Sequence, residues 1–288
     1  MILLLLMTKI LFLGSPDFAT TVLKKIYSDF SKYLVGVISQ PDAAKGRGLK
    51  LFPTPVKAWS MSNQIPVFTP DSKTELSDNI QSINPDLVVV VAYGMILPKQ
   101  ITDNYVCINA HASLLPSYRG ASPIHSSLLN QDSKSGVTII QMNEKMDEGP
   151  IISKQETLLT ASDNFETLHN RLAAIAANLC HEFISNFIKS PTISTSIQNH
   201  QSASYCKKLS AKDYQILSTD SPKVILGKIK AFSPKPGAFI IRNDRRIKII
   251  NATLTQDQFT ILTVKPEGKK EMSYHDFCLG NPEGITLC

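Results

Sequence analysis

The run Asp86-Leu87-Val88-Val89-Val90-Val91-Ala92 constrains the fold more than any other stretch of this chain. Its apolar residues follow one another without alternation and are mostly β-branched, so both faces of the strand they form must be covered. That is the pattern of a central strand in a parallel sheet layered between helices. Thr8–Gly14 reads as a buried first strand running into a turn, and Leu34–Ser39 as a second. Val106–Asn109 and Gly136–Gln141 follow, with Pro150-Ile151-Ile152 as a further candidate. Helical segments fall between the early strands, at roughly 17–31, 54–63 and 72–82. Alternation of this kind predicts an α/β fold with a doubly wound, mostly parallel sheet.

A long helix is predicted over 163–189, with Asp163 and Glu166 at capping-box spacing. Phe165, Leu168, Leu172, Ile175, Leu179 and Phe183 recur at steps of three or four and form one apolar stripe. His169 and His181 beside it read as structural or solvent-facing. Residues 190–206 are rich in Ser, Thr, Gln and Asn without a period, which reads as a linker. Short β signals then appear at 225–232, 238–242, 246–253 and 258–264, broken by Pro234, Pro236-Gly237 and Pro266-Glu267-Gly268. They predict a small, partly open β-barrel. The expected domains are thus 7–189, a linker 190–206, and 207–288, with translation starting at Met7 or Met1–Leu6 forming a dispensable extension ahead of it.

Composition excludes several classes. With 288 residues, 43% hydrophobic and 19% charged, the chain is not mostly disordered. It has no apolar stretch long enough to span a bilayer. Its five cysteines are scattered with no C-x-x-C pair, which argues against a disulfide scaffold or structural zinc and fits a reducing cytoplasm. Residues 1–206 carry 16 Lys+Arg and 16 Asp+Glu, whereas 207–288 carry 14 and 8, so the whole net charge of +6 sits in the last 82 residues. A neutral body with a basic tail fits an enzyme with a polyanion-binding module, although the same charge would also serve solubility.

The turn after the first strand, Gly14-Ser15-Pro16-Asp17-Phe18, lacks G-x-G-x-x-G because Pro16 takes the second glycine position, which disfavours NAD or FAD. The densest polar cluster is Asn109-Ala110-His111 through Tyr118-Arg119-Gly120, at the carboxyl end of a predicted strand, where open α/β sheets bind ligands. Asn109 and His111 alternate along extended backbone and so share a face. An amide donor beside an imidazole suits a reaction that develops an oxyanion while a proton moves. Met146-Asp147-Glu148-Gly149-Pro150 reads as a turn, from which Asp147 could return to His111 and fix its tautomer. Arg119 reads equally well as a phosphate contact or a structural pair. Gln40–Lys50, with Lys45, Arg47 and Lys50, is either a solvated loop or a mobile basic clamp on a phosphate backbone.

These residues carry a resemblance. Phe12–Ala19, Gln40-Pro41-Asp42 with Gly46-Arg47-Gly48, Ala92–Pro98, Asn109–Gly120, Met146–Pro150 and Ile229–Ala238 together resemble the methionyl-tRNA formyltransferase family, over nearly the whole chain from Met7. The resemblance implies a Rossmann-like formyltransferase domain followed by an OB-fold-like domain. It implies formyl transfer from 10-formyltetrahydrofolate to the amino group of methionyl-tRNA, with the initiator tRNA and formyl-folate as partners. No metal, no membrane and no obligatory protein partner is implied. Asn109, His111 and Asp147 take the catalytic positions. Ser113, Leu114, Leu115 and Pro116 take the folate segment, and the backbone around Tyr93, Gly94, Met95, Ile96 and Leu97 the pterin wall. Lys45, Arg47 and Lys50 take the tRNA-contacting loop.

Two positions depart from the family pattern. Ala43 stands where a basic residue usually follows Q-P-D, and Leu217-Ser218 where Asp-Trp is usual. Two other readings share the same residues: a folate-dependent formyltransferase acting on a small amine, such as glycinamide ribonucleotide or an amino-sugar nucleotide, and a non-catalytic RNA-binding protein on a retired enzyme fold.

Overall fold

A computed structural model describes residues 8–45, 48–255 and 258–287. Met1–Leu6 and Arg47 lie outside the described residues. The chain divides into two compact units that are each discontinuous in sequence: unit 1 runs to Arg119 and resumes over Gly136–Glu156 and Asn170–Ser204, and unit 2 holds Gly120–Ser135, Thr157–His169 and Tyr205–Cys288.

Unit 1 opens with β1 (Ile10–Gly14), α1 (Asp17–Phe30), β2 (Leu34–Ile38), β3 (Ala43–Lys45), β4 (Lys50–Phe52), α2 (Pro55–Ser62), β5 (Val67–Phe68), α3 (Lys73–Ile83), β6 (Leu87–Val91), α4 (Lys99–Asn104) and β7 (Val106–His111). The two-residue strand β8 (Arg119–Gly120) follows, and then helix α5 (Pro123–Leu129), which belongs to unit 2. Next come β9 (Lys134–Gln141), β10 (Ile151–Leu158) and α6 (Phe165–Lys189). The seven-stranded sheet has the order β10-β9-β7-β6-β1-β2-β5. Strands β1, β2, β5, β6 and β7 run parallel, and β9 pairs antiparallel with β7. All five residues of β6 are buried, as its unbroken apolar run requires. Helix α1 buries Phe18, Ala19, Val22, Leu23, Ile26 and Phe30 along one stripe. Helix α2 starts where Thr54 accepts from the Lys57 N–H ahead of Pro55, and α3 where Ser72 accepts from the Glu75 N–H.

Two glycines set close approaches. At Gly14 a Cβ would lie 2.9 Å from the Val91 carbonyl oxygen and 2.7 Å from Ala19 Cβ, so glycine is what lets α1 pack tight behind the end of β1. At Gly149 a Cβ would run into the Gln141 carbonyl oxygen.

The stretch 190–206, expected to link two halves, is bonded into unit 1 through Ser204. Ser196 pairs with Ile151 backbone to backbone, Ser204 N–H donates to the Pro116 carbonyl at 3.2 Å, and Gln198 is buried. The start of α6 also differs from expectation. Asn164 Oδ1 accepts from the Thr167 N–H while Thr167 Oγ1 accepts from the Asn164 N–H, both at 3.0 Å, so this pair makes the reciprocal cap rather than Asp163 with Glu166. Asp163 instead accepts from the Thr160 N–H at 2.7 Å and the Thr167 hydroxyl at 3.0 Å.

In unit 2, β11 (Tyr205–Cys206) precedes α7 (Ala211–Tyr214) and α8 (Pro222–Phe232). Strands β12 (Ala238–Arg242), β13 (Arg245–Leu254), β14 (Phe259–Pro266) and β15 (Met272–Ser273) form an antiparallel sheet in that order, before α9 (Tyr274–Leu279). The β12–β13 hairpin turns on Asn243 and Asp244, both at positive φ, which matches strand twist. The segment 225–232, expected as a strand, is helix α8. Ser221 and Pro222 cap and start it, and Ile225, Leu226, Ile229 and Phe232 are buried at helical spacing. Its Gly227 lies against α5, where a Cβ would come 2.6 Å from the Leu129 carbonyl oxygen.

Candidate active site

Parallel strands β1, β6 and β7 deliver Ser15, the Ala92–Pro98 loop and His111 to the same carboxyl edge of the sheet. Asn109 lies opposite Ile140 and His111 opposite Thr138 in the β7–β9 register, two residues apart and therefore on one face. Asp147, from the turn between β9 and β10, sits at φ +55° with its carboxylate turned back to both. Its Oδ1 lies 3.5 Å from His111 Nδ1 and accepts from Asn109 Nδ2 at 3.4 Å. The structure thus brings together the three residues that the sequence singled out from segments 36 and 38 positions apart.

His111 is only 6% exposed. Its Nε2 lies 2.8 Å from the Tyr118 carbonyl oxygen, which can only accept, so Nε2 carries the proton in this bond and Nδ1 faces Asp147. A carbonyl from the loop that follows it accepts from Nε2, and the Asp147 carboxylate stands where it would accept from Nδ1 once that nitrogen is also protonated. Such a site can donate to a developing oxyanion through an amide and pass a proton through an imidazole.

The loop after β7 is fixed from beneath. Thr138, fully buried on β9, donates its hydroxyl to the Ser113 carbonyl at 2.7 Å and accepts from the Leu115 N–H at 3.0 Å. The Ser113 hydroxyl donates to the Ser117 carbonyl at 2.6 Å. Ser113 and Leu115 are buried, and Leu114 and Pro116 half-buried. Along the β6 loop, the side chains of Tyr93 and Leu97 enter the hydrophobic core with Leu11, Ile38, Val88 and Ile101, Met95 packs at its edge, and Gly94 and Ile96 are exposed. From Tyr93 and Leu97 only backbone can face a ligand, and the Tyr93 carbonyl accepts from the Ser15 hydroxyl at 3.3 Å. Burial, with a smaller contribution from Glu75, pushes the Tyr93 phenol up to about 12, and burial pushes the Cys107 thiol on β7 up to about 12. Neither can serve as an anionic nucleophile near neutral pH.

The basic loop is a hairpin, in which Ala43, Ala44 and Lys45 of β3 pair with Phe52, Leu51 and Lys50 of β4. Lys50, Leu49, Leu51 and Phe52 are exposed, and Asp42 at its base forms an ion pair with Lys57 at 2.7 Å. Arg119, which the sequence left open, is a structural pair. It is 1% exposed, donates from Nε and Nη2 to Gln198 Oε1 at 3.2 and 2.9 Å, and places Nη1 3.4 Å from Glu148 Oε1. Sequence reasoning missed Gln198 altogether: it sits in a stretch without periodicity, and its partners lie 49 to 79 residues away. Among the described residues, no group of three His, Cys, Asp or Glu side chains is placed to hold a metal ion, and no helix is long and apolar enough to cross a membrane.

Comparison with known proteins shows the family of this chain. The family model described as formyl transferase matches residues 8–184, and that of the formyl transferase C-terminal domain matches 208–260. The protein called methionyl-tRNA formyltransferase in Ehrlichia ruminantium (strain Gardel) is 36% identical over 293 residues, covering 97% of this chain and 94% of its own. The Bacillus subtilis protein of the same name is 38% identical over 271 residues, covering 91% and 85%. The chain belongs to the methionyl-tRNA formyltransferase family of formyl transferases. Solved structures share the fold. A methionyl-tRNA formyltransferase from Clostridium thermocellum superposes with a TM-score of 0.60 at 16% identity, covering 90% of this chain and 98% of its own. An N-formyltransferase from Helicobacter canadensis, solved with folinic acid and dTDP-3-aminofucose, superposes with a TM-score of 0.67 at 21% identity, covering 87% and 89%.

Proposed function

We propose that this enzyme transfers a formyl group from 10-formyltetrahydrofolate to the α-amine of initiator methionyl-tRNA, and that Asn109, His111 and Asp147 carry the step. The observation that carries the reading is the meeting of these three side chains at the carboxyl edge of the sheet, with Asp147 Oδ1 within 3.5 Å of both partners. The neutral amine attacks the formyl carbon, and the carbonyl electrons move to oxygen. Asn109 donates to that oxyanion. The tetrahedral centre collapses by breaking the bond to the folate N10, and the proton lost by the incoming amine is passed to that nitrogen, with His111 as the carrier. Asp147 holds the imidazole and supports it electrostatically while it is charged. An α-amine with a reference pKa of about 7.7–8.0 is partly neutral near pH 7, so no strong base is needed.

In this reading Ser113–Pro116 and the backbone of Tyr93–Leu97 bind the folate, residues 7–189 carry the chemistry, and 207–288 carry affinity for tRNA. The exposed cations Arg245, Arg246 and Lys265 on the antiparallel sheet, and Lys269 and Lys270 between its last two strands, support that role, with Lys45, Arg47 and Lys50 acting near the acceptor end. A translation enzyme of this kind works in the cytoplasm.

The test is incubation of the full chain with 10-formyltetrahydrofolate and methionyl-tRNA, in competition with glycinamide ribonucleotide and an amino-sugar nucleotide. Formyl-methionine should accumulate whichever small amine is added. Transfer to a small amine in preference to tRNA would overturn the substrate, and no transfer to any amine would overturn the reaction.

A further inference from the structure

Asp147 reaches His111 and Asn109 from a turn with left-handed backbone, at 3.5 and 3.4 Å. Both distances are at the long end for a hydrogen bond, so a displacement of a few tenths of an ångström would uncouple the carboxylate from its partners. What holds the turn is therefore part of how the site works. On one side Gly149 lies tight against β9, and the Gln141 N–H donates to the Pro150 carbonyl at 3.0 Å.

On the other side is Gln198. Its Nε2 donates to the Asp147 carbonyl at 2.8 Å and to the Gly149 carbonyl at 2.7 Å, and its Oε1 accepts from two nitrogens of Arg119. Both side chains are almost fully buried. A guanidinium only donates and a carbonyl only accepts, so the two ends of this bridge admit one amide orientation and no other common side chain of that length. Glutamate would set an acceptor against two carbonyls. Methionine would leave two carbonyls and two N–H groups facing apolar atoms.

Arg119 is also the residue after Tyr118, whose carbonyl holds His111 Nε2. The Arg119–Gln198 bridge thus ties together the two segments that face the imidazole from opposite sides. Glu148, 3.4 Å from Arg119 Nη1, and His200, whose Nδ1 lies 3.1 Å from Arg119 Nη2, add to the polar surroundings of the bridge.

We propose that Gln198, oriented by Arg119, is a positioning residue for the reaction: it fixes the Asp147 turn and so sets where the carboxylate stands against His111. The inference rests on the formyl-transfer reading of the site, and its test separates the two. In the full-length protein, Gln198→Met should lower kcat for formyl transfer at least tenfold, while KM for the formyl donor and for methionyl-tRNA changes less than threefold. In the Asp147→Asn background the same substitution should cost less than twofold, because the group it positions is already gone.

At one fixed pH, the His111 ring resonances followed by NMR should be displaced in Gln198→Met in the same direction as in Asp147→Asn. Gln198→Glu should do the same. Should the Met variant not fold, Arg119→Lys, which keeps the charge but cannot grip the amide with two nitrogens, carries the same measurements. An unchanged kcat, an equal loss in both backgrounds, or unmoved His111 ring resonances would overturn the proposal. A wild-type protein that formylates no amine while the His111 resonances still move in Gln198→Met would overturn the formyl-transfer reading and leave the positioning role standing.

Discussion

Thr138 offers a quantitative test of how the site is built. Its hydroxyl makes two bonds at once, donating to the Ser113 carbonyl and accepting from the Leu115 N–H, in a place with no access to water. Thr138→Val keeps the shape and removes both. Each backbone group left buried without a partner costs about 1–3 kcal/mol. The valine methyl needs no partner of its own, which offsets part of that, and the net loss is about 2–4 kcal/mol. At roughly 2 °C per kcal/mol for a chain of this length, Tm should fall by about 4–8 °C. Because the two bonds fix the loop that runs from His111 into Ser113–Pro116, KM for the formyl donor should also rise, by threefold or more. Thr138→Ser retains the hydroxyl and should recover most of both losses. The assays are thermal unfolding and steady-state kinetics at varied donor concentration. If the Val variant melted within a degree of wild type with an unchanged donor KM, the claim that β9 holds the loop through this hydroxyl would be refuted.

Three further outcomes are expected. Asn109→Ala and His111→Ala should each lower turnover about a hundredfold or more with the fold intact, the scale for losing an oxyanion donor or a positioned proton carrier; near-wild-type kinetics in either would remove it from the mechanism. Replacing the exposed Arg245, Arg246 and Lys265 with glutamine should flatten the plot of log affinity for methionyl-tRNA against log salt by about 0.7–0.9 for each phosphate no longer neutralised, and an unchanged slope would place tRNA elsewhere. His125 is held at about 4, below its ordinary 6.5, by burial and by the nearby His169, and it stacks on Phe165 at 4.2 Å. A depressed histidine pKa means that the unfolded chain binds the extra proton first, so this contribution to stability is full above about 6.5 and is lost as pH falls toward 4. Thermal melts of His125→Gln should show a weaker pH dependence across that window than wild type; identical slopes would exclude His125 as its source.

The parts of this molecule that were legible in the sequence share one property: the signal and its cause are local. The five apolar residues of β6 have no polar face, so a two-sided sheet follows from them alone. Asn109 and His111 stand two apart at a strand end, so their common face is a matter of backbone geometry. Asp147 came from a motif, since nothing in Met146–Pro150 by itself distinguishes a turn that returns to β7 from one that does not. Where local signals conflicted, the reading failed for an identifiable reason. Ile225 and Ile229 favour a strand by side-chain type, yet Ser221-Pro222 starts a helix and the buried positions fall at its period. The cap of α6 moved by one residue because Asn164 with Thr167 closes the same reciprocal pair that Asp163 with Glu166 would have made.

Gln198 and the role of Arg119 belong to a different case. Their meaning lies in chain segments brought together only by folding: an amide from 190–204, a guanidinium from the end of the His111 loop, and two carbonyls from the Asp147 turn. A polar stretch without period looks like a linker because sequence patterns report burial of apolar faces, and this segment is held by polar bonds instead. A site built on carboxylate and imidazole contacts near 3.5 Å depends on such bonds more than on its core, since apolar packing sets where a strand ends but does not fix the direction of a lone carboxylate. The physical demand for a buried group that accepts from a guanidinium at one end and donates to two carbonyls at the other is what selects glutamine at 198, and that demand exists only once the three segments have met.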